Sequence, residues 1–390
     1  MLKENWTYKK FSEVFNLQMG KTPSRDNLAY WGGNNVWVSI ADLKDKYIES
    51  SKEHITDIAV SESGINKVPQ GTAIMSFKLT IGRSAITKCD LFTNEAIMSF
   101  EPKEKNILAA DYIYYYLKGC KWTGANKAVM GQTLNKKTIS ENIFAYPSIE
   151  TQSRIVSELD LLQSIIDKQK AQLKELDNLA QAVFYDMFGD PVENEKGWEV
   201  KPLQEICLRI TDGSHFSPKE DENGIYPMLT VKDMDANGFN YDRCKYISEK
   251  DYTLLVANGC KPLANDVLVA KDGSYLKTAF VQKEEKEQVI LSSIAILTPN
   301  NKIVSPEYLA FFFKLPETKN IVERNYLTGT AIKRVILKGF KVIKISIPPL
   351  HLQQSFAAKI ESIEKQKTAI GKSIEEAQKL FDYMMDKYFG

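Results

Sequence analysis

Residues 146–189, YPSIETQSRIVSELDLLQSIIDKQKAQLKELDNLAQAVFYDMFG, are answered 201 residues later by residues 347–390, IPPLHLQQSFAAKIESIEKQKTAIGKSIEEAQKLFDYMMDKYFG. The register holds without a gap: Gln152 meets Gln353, Glu175 meets Glu376, Leu179 meets Leu380, and Phe188-Gly189 meets Phe389-Gly390. In the first copy apolar residues recur at alternating steps of four and three, as Ile155, Leu159, Leu162, Ile166, then Gln169, then Leu173, Leu176, Ala180, Val183 and Met187. In the second the same places hold Phe356, Ile360, Ile363, Lys367, Ile370, Ile374, Ala377, Phe381, Met384 and Tyr388. This spacing predicts two long helices, each with a narrow coiled-coil seam interrupted by one polar residue. A helix that only covers a core carries a broader stripe, so the seam predicts a partner helix, and the other copy is the nearest candidate. About 33 residues of seam give ~50 Å of helix at 1.5 Å per residue. An antiparallel pair would hold one globular unit at each end.

Outward from the helices, the rest of the chain is also written twice. Asn5-Trp6-Thr7-Tyr8-Lys9 resembles Gly197-Trp198-Glu199-Val200-Lys201, and Asp111 to Lys118 resembles Glu307 to Lys314. The offset grows along the chain, so small insertions separate two diverged copies of one design. Val36 to Ile40, Ala73 to Phe77, Asp266 to Ala270 and Val289 to Leu291 are short, β-branched or aromatic, and read as strands. Asp111 to Lys118 and Pro306 to Lys314 read as short helices opened by Asp111 and Ser305. The expected fold is α+β: two tandem mixed α/β units, each followed by a long helix, the two helices pairing as an antiparallel coiled coil. The expected divisions are residues 1–150, a helix over 151–190, residues 191–349, and a helix over 350–390.

Composition narrows the class. A chain of 390 residues is too long for one ordinary core, and 43% apolar with 26% charged residues marks it as folded. Five cysteines without a C-x-x-C spacing suit a reducing cytoplasm, and no apolar stretch is long enough for a membrane span. The formal net charge is only +1, so any surface that binds nucleic acid must be local. Two acid-free segments offer one: Tyr112 to Ser140, with Lys118, Lys121, Lys127, Lys136 and Lys137, and Gly329 to Pro349, with Lys333, Arg334, Lys338, Lys341 and Lys344.

The duplicated plan resembles the specificity subunit of Type I restriction-modification enzymes over the whole chain. The residues that carry the resemblance are Trp6 to Phe15 with Gly20-Lys21-Thr22-Pro23-Ser24-Arg25, and Gly131-Gln132-Thr133-Leu134 with Gly329-Thr330-Ala331-Ile332. Pro147/Gln152 and Pro348/Gln353 at the helix starts and the two Phe-Gly terminations complete the set. The resemblance implies two target recognition domains that each read one half-site of double-stranded DNA, and helices that space them and dock partners. Implied partners are two methyltransferase subunits, with S-adenosylmethionine, and restriction subunits that use ATP and Mg; this chain would hold no cofactor and no metal, and would work in the cytoplasm. B-DNA repeats about every 34 to 36 Å, so readers at the ends of the rod would contact half-sites one or more turns apart. Because the units have diverged, the target should be split and asymmetric.

The residues themselves suit recognition rather than catalysis. There is no Asn/Asp-Pro-Pro-Tyr/Phe motif, the one Pro-Pro pair being Pro348-Pro349, and no G-x-x-x-x-G-K-S/T phosphate loop. His54, His215 and His351 lie far apart without metal-ligand spacing, and Glu284-Glu285-Lys286 reads as a solvated charge run. Base reading needs donors and acceptors on loops, with cations to fix the phosphate register. The expected contacts in the first unit are Lys21, Ser24, Arg25, Lys78, Arg83, Gln132, Asn135, Lys136 and Lys137. In the second they are Thr211, Ser214, His215, Lys271, Ser274, Lys277, Thr330, Lys333 and Arg334. Asp212 and Asp272 sit awkwardly near phosphate, although a carboxylate can accept from cytosine N4. Helix pairing is expected from Ile155, Leu159, Leu162, Ile166, Leu173, Leu176, Phe356, Ile360, Ile363, Ile370, Ile374 and Phe381. Two other readings stay open at this level: a coiled-coil scaffold with two protein-binding domains, and an enzyme acting on nucleic acid unaided.

Overall fold

The computed structural model describes residues 4–123, 126–128, 131–273, 275–329 and 333–390, with backbone alone for 126–128 and 131–133. The chain divides into two compact units, Met1–Lys170 with Lys372–Gly390, and Ala171–Gly371. The long helices are Ile149–Phe188, the central helix, and Leu350–Phe389, the C-terminal helix, each of 40 residues. Each is shared: the first unit takes the start of the central helix and the end of the C-terminal helix, and the second unit takes the other two halves. Among the described residues no helix is long and apolar enough to cross a membrane.

In the first unit the chain start, Thr7–Lys10, pairs antiparallel with Ile143–Tyr146, the strand that feeds the central helix. Between them lies a five-stranded sheet in the order Phe15–Met19, Ile97–Pro102, Ala73–Ser76, Ser84–Thr87, Tyr47–Ile48, antiparallel except for its last pair. Its inner strands Ala73–Ser76 and Ser84–Thr87 are buried at every residue because both faces are covered. Ala73, Met75 and Met98 face the helix Ala110–Gly119, and Ile74, Ala85 and Ile97 face a cluster with Val38, Leu43 and Leu91. A second sheet orders Glu53–Ile55, Trp31–Val38 and Phe92–Thr93.

The second unit repeats this plan. Glu199–Pro202 pairs with Lys344–Ile347 before the C-terminal helix. A four-stranded sheet runs Cys207–Asp212, Ile294–Pro299, Val267–Ala270, Ala279–Val281, and a three-stranded one Lys245–Ile247, Tyr226–Leu229, Val289–Ile290. Ser305 caps the helix Pro306–Lys314, its hydroxyl accepting from Tyr308 N at 3.1 Å. Asp111 does not cap the corresponding helix, whose N-cap is Ala109. Its carboxylate is drawn instead to Lys46 Nζ at 2.7 Å and to the Tyr47 hydroxyl at 2.6 Å.

Within each unit the two helix halves run antiparallel. In the first, Tyr388 donates to Glu158 at 2.6 Å and Gln169 to Ser373 at 2.6 Å; in the second, Lys367 meets Asp177 at 2.8 Å while Phe188 packs on Phe356. The polar interruptions of the seams thus find partners on the opposing helix. Ile155, Leu159 and Ile166 share the first core with Phe381, and Leu162 and Ile374 pack at its margin. Leu176, Phe356 and Ile363 are buried in the second, with Ile360 and Ile370 beside them, while Leu173 is half-exposed. Toward the helix ends burial moves one residue along, to Phe184, Phe188 and Phe389 rather than Val183, Met187 and Tyr388. There each helix faces the core of a globular unit as well as its partner, so the seam widens and turns.

Candidate nucleic-acid interface

Two loops in each unit are anchored on one short segment. In the first unit the strand Phe15–Met19 ends at Gly20, where a Cβ would lie 2.1 Å from Thr93 O, so only glycine fits. Gly20 N donates to Ile97 O at 3.1 Å and Lys21 N to Thr93 O at 2.8 Å. The loop that follows is pinned by two indoles: Trp37 Nε1 donates to Lys21 O and Trp31 Nε1 to Ser24 O, both at 3.1 Å. In the second unit Gly213 stands in the same way 2.1 Å from Ile290 O, with Gly213 N on Ile294 O and Ser214 N on Ile290 O.

The second loop joins two central strands. Ser76 N donates to Arg83 O and Gly82 N to Ser76 O, and Leu79 and Gly82 adopt positive φ. Lys78-Leu79 then pairs with Gly131–Thr133, so Lys78 and Gln132 share one antiparallel ribbon. In the second unit Leu276, also at positive φ, donates to Ala270 O, Gly273 N to Lys333 O, and Val335 N to Lys271 O. Loop and pre-helix segment are again held together, here by an antiparallel backbone β-bridge between Asp272 and Arg334. Phe77 N on Ala96 O, and Lys271 N on Ser293 O, tie each second loop to the segment that holds the first.

On this shared frame the side chains differ. Arg25 is exposed, stacked 3.9 Å over Trp31, and both its terminal nitrogens donate to the Glu53 carboxylate. That pairing holds the Glu53 carboxyl below its ordinary range. Glu95, bonded by the Thr22 hydroxyl and lowered by it, also feels Lys78 and Arg25, so the first unit's two loops border one carboxylate. Lys21, Ser24, Arg83, Lys136 and Lys137 are exposed, and Asn135 caps the helix Lys136–Glu141 by accepting from Thr138 N at 2.8 Å.

In the second unit Lys271 occupies the place of the buried Phe77. It is buried too, 3.3 Å from Asp212 and 3.4 Å from Asp272, and Asp212 lies 3.3 Å from exposed His215. Burying a lone charge is costly, and this opposed pair satisfies it. Ser214 is buried with its hydroxyl on Phe216 O, whereas Lys277, Lys333 and Arg334 are exposed and Thr211 is half-exposed. Ser274, Thr330 and the Gln132 side chain lie outside the described residues. Glu95, Trp31 and Trp37 escaped the sequence reading; the one available signal was two tryptophans in a strand beside a Gly-Lys-Thr-Pro-Ser-Arg turn. Among the described residues no group of three His, Cys, Asp or Glu side chains could hold a metal ion.

A model of the Type I restriction modification DNA specificity domain matches the chain twice, over residues 3–178 and 195–378. The chain belongs to this family. The two matches of the specificity domain family fall on the two halves of the repeat. The MjaIX type I restriction enzyme specificity subunit of Methanocaldococcus jannaschii is 26% identical over 411 residues, covering 98% of this chain and 92% of the relative. The Escherichia coli EcoR124I/EcoR124II specificity subunit is 28% identical over 171 residues, covering 40% of this chain and 41% of its own. The crystal structure of a type I restriction-modification S subunit from M. genitalium superposes with a TM-score of 0.56 at 14% identity, covering 100% of this chain and 98% of that one. A chain from a structural study of type I R-M complex assembly and conformational transition gives 0.60 at 16% identity, with coverage of 100% and 98%. Both share the fold of this specificity domain protein.

Proposed function

We propose that this chain is the DNA-recognition subunit of a Type I restriction-modification complex, each unit reading one half of a split, asymmetric site. The observation that carries the reading is a twofold repeat in which the loop frame is kept and the loop chemistry is changed. Gly20 and Gly213 are wedged alike, yet Glu95 faces the first pair of loops and the buried Lys271–Asp212 pair underlies the second. Readers with one frame and two chemistries suit two different half-sites. Two 40-residue helices, each ~60 Å long at 1.5 Å per residue, suit a spacer that leaves bases unread between them.

In this reading the chain contributes recognition and assembly, without catalysis of its own. Adenine methylation belongs to two methyltransferase subunits that hold S-adenosylmethionine, and cleavage to restriction subunits that use ATP and Mg, in the cytoplasm. The test is selection from random duplex DNA by the chain co-purified with its methyltransferase partner. A split motif, with binding that weakens steeply as salt rises, supports the reading. Binding with no preferred sequence, in a complex that assembles, would turn the chain into a scaffold.

A further inference from the structure

Beside loop 213–217 of the second unit lies a depression of about 340 Å³ lined by Lys232, Arg243 and Lys245, with Ser217, Thr230 and Asp233. Its acid is already engaged: Asp233 accepts from Thr230 N at 2.7 Å and from the Thr230 hydroxyl at 2.8 Å. Among the described residues no ion pair joins any of the three cations to a carboxylate, and Lys245 Nζ donates to the Ser217 hydroxyl at 2.9 Å. Leu291 N, bonded to Leu229 O, and Ser214 N, bonded to Ile290 O, fix the depression and the loop on the same strands.

The first unit has the same frame here with the opposite charge. Trp37 pairs with Glu53 and Phe92 as Met228 pairs with Lys245 and Val289, so Lys245 stands where Glu53 stands. The capping turn Ser39-Ile40-Ala41-Asp42 answers Thr230-Val231-Lys232-Asp233, which puts Lys232 in the place of Ala41. In the first unit the shelf is closed by the internal Arg25–Glu53 pair. In the second it is open and cationic.

We infer that Lys232, Arg243 and Lys245 form a shelf that receives a backbone phosphodiester of the DNA flanking the second half-site, a contact the first unit lacks. This rests on the DNA-recognition reading. Three ammonium or guanidinium donors with the Ser217 hydroxyl suit a phosphate oxyanion, and such contacts set register and salt dependence but carry no base preference. The shelf therefore adds a salt-sensitive, base-independent contact to the second unit.

The experiment is a titration of target duplex with the full chain bound to its methyltransferase partner, at several salt concentrations. Lys232→Ala, Arg243→Ala and Lys245→Ala combined are expected to make the slope of log K against log salt shallower by about 1, and each singly to weaken binding equally on every target variant. Lys232→Arg with Lys245→Arg keeps the slope and guards against a folding defect. If the wild-type complex binds its motif while the alanine variants keep its slope and affinity, the shelf is refuted and the recognition reading stands. A changed base preference would also refute it, making these residues base readers. If the wild-type complex shows no preferred sequence, both inferences fall together.

Discussion

Gln152 and Gln353 show how a single side chain can set a fold. Both are wholly buried one turn into the long helices. Gln152 Nε2 donates to Ile107 O and Pro147 O, and its Oε1 accepts from Ala109 N; Gln353 does the same with Ile303 O, Pro348 O and Ser305 N. Each glutamine thus stitches its long helix to the N-terminal end of a short one, Ala110–Gly119 in the first unit and Pro306–Lys314 in the second. Truncation leaves three buried or half-buried backbone groups without their partner, so Gln152→Ala or Gln353→Ala should cost about 1 to 3 kcal/mol in urea unfolding. Loss of less than a few tenths would mean that water enters and replaces the amide.

Glu53 offers a second test at this scale. Its carboxylate occupies the Arg25 fork, so Arg25 cannot meet a guanine bidentately without giving Glu53 up. Glu53→Gln should leave Arg25 stacked on Trp31, tighten DNA binding, and steepen its salt dependence by up to about 1 in slope. Unchanged binding would place Arg25 away from DNA. At this scale the sequence was only partly readable. Lys271-Asp272-Gly273 has the composition of a surface turn, and nothing local announces that Lys271 is buried. Asp212, brought close by the pairing of Cys207–Asp212 with Ile294–Pro299, joins the neighbouring Asp272 in making that burial tolerable.

At the scale of elements, the phenylalanines that end the long helices complete reader cores. Phe389 packs on Tyr112 and Tyr116 with centroids 5.6 Å away, and Phe188 packs on Tyr308 at 4.9 Å. Gly119 lets the C-terminal helix approach, since a Cβ there would sit 2.9 Å from Phe389 Cβ. Phe389→Ala should destabilise the first unit, and Phe188→Ala the second, each by about 3 to 5 kcal/mol. Hydrogen exchange resolved by residue checks this, because protection should fall in one unit only. The two long helices were legible from heptad spacing, which is a local signal. The turn of burial toward Phe184, Phe188 and Phe389 was not, because it depends on tertiary neighbours contributed by the readers.

At the scale of the whole molecule, stability should fall with alkali. Burial pushes the Cys120 thiol, in the first unit, and the Cys207 thiol, in the second, up to about 12 from an ordinary value near 9. A group whose folded pKa is raised contributes fully below its unfolded pKa and loses that contribution as pH rises through the folded one. Stability should therefore drop between about pH 9 and 12, and Cys120→Ala with Cys207→Ala should flatten the early part of that fall in urea midpoints. Buried tyrosines such as Tyr114, raised to about 12, add to the loss above pH 10.

The duplicated architecture was legible because an offset of 201 residues runs unbroken through the helices. The correspondence of the readers was less so, because insertions hide it; backbone bonds such as Gly20 N to Ile97 O and Gly213 N to Ile294 O restore it. The central claim, two readers with different chemistry on one frame, is tested most directly by a methylome. The chain is co-expressed with its methyltransferase partner and methylated adenines are mapped across the genome, first with the wild type and then with Lys78→Ala/Arg83→Ala or Lys333→Ala/Arg334→Ala. The account predicts a split, asymmetric motif in which the first pair of substitutions relaxes one half and the second pair only the other. A motif whose halves respond together, or no motif from an assembled and active methyltransferase complex, would contradict it.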